Sequence, residues 1–316
     1  MGGGTAQERG LMATLVCLGL GYCAEHYVAE FGGRFSRIVG TVRSPERIAG
    51  LSRRDFGGRS VEMLAFDGTA ATPAVTAAVD ESDALLISAA PDVHGDPVLA
   101  ALGDALTTAP RLVTIVLLST VGVYGDHGGG WVDETTAPRH ARERAQERIA
   151  AEQAWQALGQ KRDIAVAVLR LSGIYGTGRN ALLNVRGGQA RNIVKPGQVF
   201  NRIHVADIAQ AIEAAFAQRA DGTFNVTDDE PTPPGDPVAF AAELLGTAPP
   251  SAIPFTEAVT TMSPMAAAFY AENRRVHNDK LKRALGVRLR YPTFRDRKST
   301  RLNSSHQHRS RMPSSA

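Results

Sequence analysis

Gly19-Leu20-Gly21-Tyr22-Cys23-Ala24 spells G-x-G-x-x-A between an apolar run ending at Leu18 and a stretch of helical character. The first glycine permits a tight turn, the second lets backbone approach a pyrophosphate, and the small Ala24 lets strand and helix pack closely. Tyr22 and Cys23 would then sit at a helix N-terminus, whose unpaired N–H groups and positive dipole end suit a phosphate. A dinucleotide site is expected here. Its identity turns on the end of the second strand, where an acid would bind the ribose 2′-OH of NAD and a cation would suit a 2′-phosphate. The sequence there is Gly40-Thr41-Val42-Arg43-Ser44, without an acid, and Arg43 can form charge-assisted bonds to phosphate. NADP is therefore expected in preference to NAD.

Other chemistries find less support. Cys17 and Cys23 are the only cysteines, too few for a disulfide framework, so a reducing cytoplasm is the expected location. No spacing of His, Cys and acids suggests a metal site. Asp126 and His127 open a glycine-rich stretch that reads as a turn. No apolar run reaches the length of a membrane helix. The formal net charge of +3 hints at a nucleic-acid partner, but its position removes the hint. Residues 296–316 carry Arg297, Lys298, Arg301, Arg309 and Arg311 against Asp296, leaving the span 12–295 at about −1. A small-molecule partner is expected, with no nucleic acid and no membrane. The tail, DRKSTRLNSSHQHRSRMPSSA, resembles translated sequencing-adapter DNA and is set aside as a disordered addition. Residues 1–11 form a leader that precedes a second candidate start, Met12.

The elements that must position these residues follow from patterning over 316 residues, 43% of them hydrophobic. Continuous apolar runs at 14–18, 37–42, 61–65, 84–88, 112–119, 164–171 and 223–226 read as strands buried on both faces. Helical stretches lie between them, notably at 24–31, 142–158 and 205–218. The alternation predicts an α/β fold with a doubly wound parallel sheet of about seven strands. Residues 12–172, completed by 203–228, would form the Rossmann domain, and 173–202 with 229–295 a smaller interleaved substrate lobe.

Read together, LVCLGLGYCA, Phe66-Asp67-Gly68, LLSTVGVYG (117–125), LRLSGIYGTGR (169–179), NRIHVADIAQAI (201–212), GTFNVTDDEP (222–231) and LKRALG (281–286) resemble the extended and atypical short-chain dehydrogenase/reductases, the NAD-dependent epimerase/dehydratase group. The resemblance implies a Rossmann sheet with Asp67 near the adenine and Ser88, Ala89 and Ala90 alongside the cofactor. It implies Ser119, Thr120 and Tyr124 near the nicotinamide, and Arg179 and Arg202 facing a polar or anionic substrate. A homodimer is compatible with the same resemblance.

The family's chemistry uses a Ser or Thr hydroxyl together with a Tyr four residues before a Lys. Ser119 and Thr120 supply the first part. Aligned through Ala150-Ala151-Glu152, the chain has Arg144 at the Tyr position and Arg148 at the Lys position, and none of its six tyrosines is followed four residues later by Lys. Arginine does not release its proton near neutral pH, so Arg144 cannot be a general acid. Arg148 could bind ribose or phosphate, or the two could belong to a solvated, ion-paired helix face. If catalysis is retained, Tyr124, at the C-terminal edge of the sheet, is the first candidate for moving the proton, with Tyr175 and His204 in reserve. Two readings therefore stand: an NAD(P)-dependent oxidoreductase of epimerase/dehydratase type, and a non-catalytic NADP-binding protein that senses redox state.

Overall fold

A computed structural model describes residues 13–51, 53–139 and 143–296, so both chain ends, and with them the leader and most of the tail, lie outside the described residues. Seven parallel strands form the central sheet: β1 (Thr14–Leu18), β2 (Arg37–Val42), β3 (Glu62–Ala65), β4 (Ala84–Ile87), β5 (Thr114–Thr120), β7 (Ala165–Leu171) and β11 (Gly222–Val226). Between them in sequence stand three short strands, β6 (Trp131–Val132), β8 (Gly173–Tyr175) and β10 (Arg202–His204), together with β9 (Asn192–Val194). The sheet order is β11-β7-β5-β4-β1-β2-β3, and every pairing in it is parallel. The chain thus reverses its direction of travel between β1 and β4, and the crevice outside the carboxyl ends of those two strands is where such sheets bind ligands.

The expected strands are all present, with boundaries shifted by no more than two residues. Their apolar continuity has its cause in two cores. On one face Tyr27, Phe216 and Leu281 pack in a cluster with Leu15, Val116 and Leu169. On the other, Val75, Leu102 and Trp155 pack with Val16, Leu85 and Val168. Neighbouring strand residues go to opposite cores, as the two-residue period of a strand requires.

The helices that pack on the sheet and line its crevice include α1 (Tyr22–Phe31), α2 (Pro45–Leu51), α3 (Pro73–Asp80), α4 (Pro97–Thr108), α5 (Glu143–Arg162), α6 (Ala181–Arg186), α7 (Val205–Gln218) and α8 (Asp236–Leu245). Helix α1 begins at Tyr22, two residues before its expected start, so its first turn directly abuts Gly21. Helix α4 starts where proline and a capping acid predict it: Pro97 follows Asp96, whose Oδ1 accepts from the backbone N–H of Val98 (2.9 Å) and Leu99 (3.0 Å). The other oxygen of Asp96 accepts from Trp155 Nε1 at 2.9 Å, which locks α5 against α4.

The segments after β7 are tied together by short parallel pairs that no periodicity announces. β8 pairs with β10, β9 with β12 (Ala252–Pro254), and β6 with β13 (Arg275–Val276). The last of these joins the loop after β5 to the C-terminal region. The C-terminal segment is held by Asp207, a fully buried acid on α7 that accepts from the backbone N–H of Arg290 (2.7 Å) and Tyr291 (3.0 Å). Burial raises the pKa of this carboxyl, and those hydrogen bonds pull it back down.

Candidate functional site

The glycine turn joins β1 to α1 at the reversal point of the sheet. Gly19 has φ +97°, and a Cβ there would lie 2.9 Å from the backbone nitrogen of Ala89, so both conformation and space require glycine. Its N–H donates to Thr41 Oγ1 (2.9 Å), and that of Leu20 to the Thr41 carbonyl (2.7 Å). At Gly21 the nearest atom to an added Cβ is Ser88 Oγ, 4.0 Å away, so this residue faces open space on the protein side. Gly21 is the N-cap of α1 and offers no side-chain acceptor, leaving first-turn N–H groups free for an anion. Ala24 is fully buried against the sheet. Cys23 is buried as well, and burial pushes its thiol up to about 11 and that of Cys17 up to about 12, which makes both unreactive.

Around this turn stand the other expected cofactor residues. Arg43 is exposed one residue past β2 and makes no hydrogen bond or ion pair among the described residues. Asp67, just past β3, is exposed; its Oδ1 accepts from the Thr69 backbone N–H (2.8 Å) and hydroxyl (2.7 Å), which hold the carboxyl below its ordinary pKa. The backbone N–H groups of Ser88 and Ala89 both donate to the Leu18 carbonyl, at 2.9 and 3.0 Å, and Ala90 is exposed. Arg43, Asp67 and Ser88 thus follow the carboxyl ends of β2, β3 and β4, flanking the glycine turn.

The hydroxyls at the end of β5 are separated by the pleat. Ser119 is buried and donates to Glu152 Oε1 at 2.5 Å, whereas Thr120 is half-buried and accepts from the Gly122 N–H at 3.0 Å, keeping its own proton available. Glu152 in turn receives the guanidinium of Arg170, with Nη2 at 2.7 Å from Oε2 and Nε at 3.2 Å from both oxygens. That guanidinium lies over the ring of Tyr124, 4.9 Å from its centroid, and the Tyr124 hydroxyl donates to Asn225 Oδ1 at 2.8 Å. Tyr124 is 0% exposed, and its burial raises the phenol pKa. The Ser119 and Tyr124 hydroxyls are both engaged inside a buried polar network, and Thr120 alone of the three stands at its margin.

The two arginines on α5 also part company. Arg144 is exposed, whereas Arg148 is half-buried and donates to the Leu118 carbonyl at 3.2 Å, beneath the end of β5. Desolvation lowers the pKa of Arg148, partly countered by Glu152, Asp96 and Glu147. His204, held in reserve for proton transfer, is the N-cap of α7: its Nδ1 accepts from the Ala206 N–H at 3.1 Å. Its ring stacks on Tyr291 (3.7 Å between centroids) and meets Tyr175 edge-on. Tyr175 donates to the Thr293 carbonyl at 3.3 Å.

Arg179, Arg202 and Tyr175 do converge. They line a cavity of about 340 Å³ whose walls come from α6, α8 and Phe294. The cavity is tied to the glycine turn, because the Tyr22 hydroxyl donates to the Thr177 carbonyl (2.9 Å) in the loop that carries Arg179. Spacing in the sequence does not join Glu152, Arg170 and Asn225 into a unit. Their signal was present: a lone Arg in the apolar run VAVLRL and a lone Asn in TFNV are polar groups that a buried strand must pair.

The sequence profile of the NAD dependent epimerase/dehydratase family matches residues 97–227. A solved structure of a functionally unknown conserved protein from Silicibacter pomeroyi DSS is 44% identical, superposing with a TM-score of 0.80 over 90% of this chain and 96% of that one. MoeE5, solved in complex with UDP-glucuronic acid and NAD, shares the fold at 19% identity, with a TM-score of 0.72 over 94% and 99% of the two chains. A Streptomyces 3-diazoavenalumate denitrifying reductase is 31% identical over 140 residues, 42% of this chain and 46% of that protein, so the match spans under half the relative's length.

Proposed function

Since this chain belongs to the NAD-dependent epimerase/dehydratase family on the short-chain dehydrogenase/reductase fold, we propose that it is an NADP-dependent oxidoreductase that reduces a carbonyl carbon, or oxidises the matching alcohol, of a small polar or anionic substrate. The observation that carries this reading is the pairing of an uncapped helix N-terminus at Gly21 with the unpartnered guanidinium of Arg43 beyond β2. The first would hold the pyrophosphate and the second the 2′-phosphate. In this reading residues 12–172 with 203–228 carry the cofactor, while 173–202 with 229–295 carry the substrate.

The bound nicotinamide supplies or accepts the hydride. The residues of the chain do the rest. Thr120 donates a hydrogen bond to the substrate oxygen, and Arg148 holds the ribose and sets a permanent positive charge near the oxygen as negative charge develops there. Arg148 has no proton to give, so the alkoxide takes its proton from solvent. Tyr124 acts as a positioning residue: its ring carries the Arg170 guanidinium, and its hydroxyl fixes Asn225 at the end of the sheet. The second reading, a non-catalytic NADP-binding sensor, is favoured by the exposed arginine at position 144 where the family has its tyrosine.

The test is titration of the full chain with NADPH and NADH, following reduced-nicotinamide fluorescence. NADPH should bind more tightly, and Arg43→Ala should weaken it by about tenfold or more, the value of a charge-assisted hydrogen bond, while NADH changes little. A preference for NADH would overturn the Arg43 assignment. Binding of neither by folded protein would overturn the oxidoreductase reading, and NADPH binding without turnover on any carbonyl would favour the sensor.

A further inference from the structure

The cavity beside the glycine turn has a composition that selects its ligand. Its walls are aliphatic and aromatic: Leu182 from α6, Val238, Phe240 and Leu244 from α8, and Phe294 from the C-terminal segment. Phe240 and Phe294 meet edge to face, with centroids 5.7 Å apart. Among the polar groups lining the cavity, Asn180 is already used at both ends, its Oδ1 accepting from the Leu183 N–H (3.1 Å) and its Nδ2 donating to the Gly176 carbonyl (2.9 Å). Tyr175 spends its proton on Thr293.

Asn184 adds an exposed amide to the lining, Arg295 stands over the Phe240 and Phe294 rings, and two further arginines bring positive charge. Arg179 is exposed, its backbone pairs with Gly176, and its guanidinium makes no hydrogen bond or ion pair among the described residues. Arg202 is half-buried and hydrogen-bonded only to neutral acceptors, the Phe200 carbonyl (3.0 Å), Thr232 Oγ1 (2.6 Å) and, more weakly, the carbonyls of Thr232 and Pro233. The acids nearest it in its field are Asp228, Asp236 and Glu230, and none forms a salt bridge with it. Asp228 is buried, and burial pushes its carboxyl up to about 8 while Arg202 draws it down.

We propose that this cavity takes a small organic acid with a flat apolar body, its carboxylate held between Arg179 and Arg202 and its body packed on Phe240 and Phe294. The proposal rests on the oxidoreductase reading above and names the substrate class of that same site. Two guanidiniums satisfy one carboxylate, while the apolar walls gain from burying an aromatic or unsaturated body. A nucleotide sugar is the alternative that the MoeE5 complex brings to mind. Its many hydroxyls would have to give up water for walls whose uncommitted polar groups are Asn184 and the arginines, and every hydrogen bond lost counts against binding.

The experiment is isothermal titration calorimetry on the full chain, with and without NADP⁺, using cinnamate, its neutral isostere cinnamamide, and UDP-glucose as probes. Cinnamate should bind, cinnamamide should bind at least about tenfold more weakly for want of a charged acceptor, and UDP-glucose should bind more weakly than cinnamate. Arg179→Gln, at an exposed position, should lower cinnamate affinity by a similar factor while leaving the thermal unfolding midpoint and NADPH affinity unchanged. Failure of cinnamate to bind, equal binding of the amide, or tighter binding of UDP-glucose each overturns the proposal. An NADPH defect in Arg179→Gln as large as the cinnamate defect would do so too, by assigning Arg179 to the dinucleotide. NADPH titrated into the same preparation keeps the two readings apart: binding of NADPH without cinnamate removes only the substrate class, and binding of cinnamate without NADPH removes only the oxidoreductase.

Discussion

Replacing Asp228 by Asn should stabilise the protein, and more so as the pH rises. Asp228 lies just past β11, is 2% exposed, and has one carboxylate oxygen, Oδ2, with no hydrogen-bond partner among the described residues. Its other oxygen accepts only a long bond from the Glu230 N–H (3.3 Å). Burial, the largest influence, pushes the carboxyl from 3.8 up to about 8, with Arg202 drawing it down and Asp229 and Glu230 adding to the rise. In the unfolded chain the same group ionises near its ordinary value. Between the two, unfolding releases a proton, so the unfolded state gains on the folded one as the pH rises. The slope is about 1.4 kcal/mol per pH unit. From pH 5 to pH 7 the wild type should thus lose about 3 kcal/mol that Asp228→Asn does not lose, an upper limit because relaxation around a buried charge softens the penalty. An amide nitrogen left unpaired at the Oδ2 position costs about 1–3 kcal/mol, but at every pH alike. Urea unfolding of both proteins at pH 5, 6, 7 and 8, followed by circular dichroism, isolates the effect, since all other titrating groups cancel in the difference. Stability curves that run parallel in pH would refute the reasoning.

Two further outcomes follow from the network beneath β5. Tyr124→Phe leaves Asn225 Oδ1 without its donor and should lower stability by about 1–3 kcal/mol; turnover, once a substrate is in hand, should stay within a few-fold, and its loss would return Tyr124 to the chemistry. Glu152→Gln removes the charge that faces the buried Arg170 and should cost about 3–5 kcal/mol, read as a fall in the urea midpoint; a change under about 1 kcal/mol would mean that the pair is dispensable.

The legible parts of this molecule are those where one physical cause acts on consecutive residues. Strands β1, β2 and β7 sit under helices on both sides, so burial wrote itself as unbroken apolar runs, and the glycine turn had its own spacing. The two-residue strands Trp131–Val132 and Arg275–Val276 carry no period at all, and only their pairing defines them. Ser119 and Thr120 are instructive: neighbours on a strand cannot face the same way, so the alternation alone requires one of them to turn inward. Which one turned inward was decided by Glu152 and Arg170, from elements on either side of β7's start. A tyrosine at the carboxyl edge of a sheet looks identical in sequence whether it faces a ligand or, like Tyr124, donates to an asparagine on β11. The apolar cavity draws its walls from 181–186, 236–245 and Phe294, far apart in the chain, and of its lining the sequence marks only Tyr175, Arg179 and Arg202.

The bond from the Tyr22 hydroxyl to the Thr177 carbonyl joins the turn that would receive the pyrophosphate to the loop that carries Arg179. Energy exchanged across it runs equally in both directions: whatever a ligand in the cavity gains from an ordered glycine turn, a dinucleotide on that turn gains from the filled cavity. Severing this one hydroxyl contact therefore weakens both affinities only when both ligands are offered together, and a single-ligand assay would miss it.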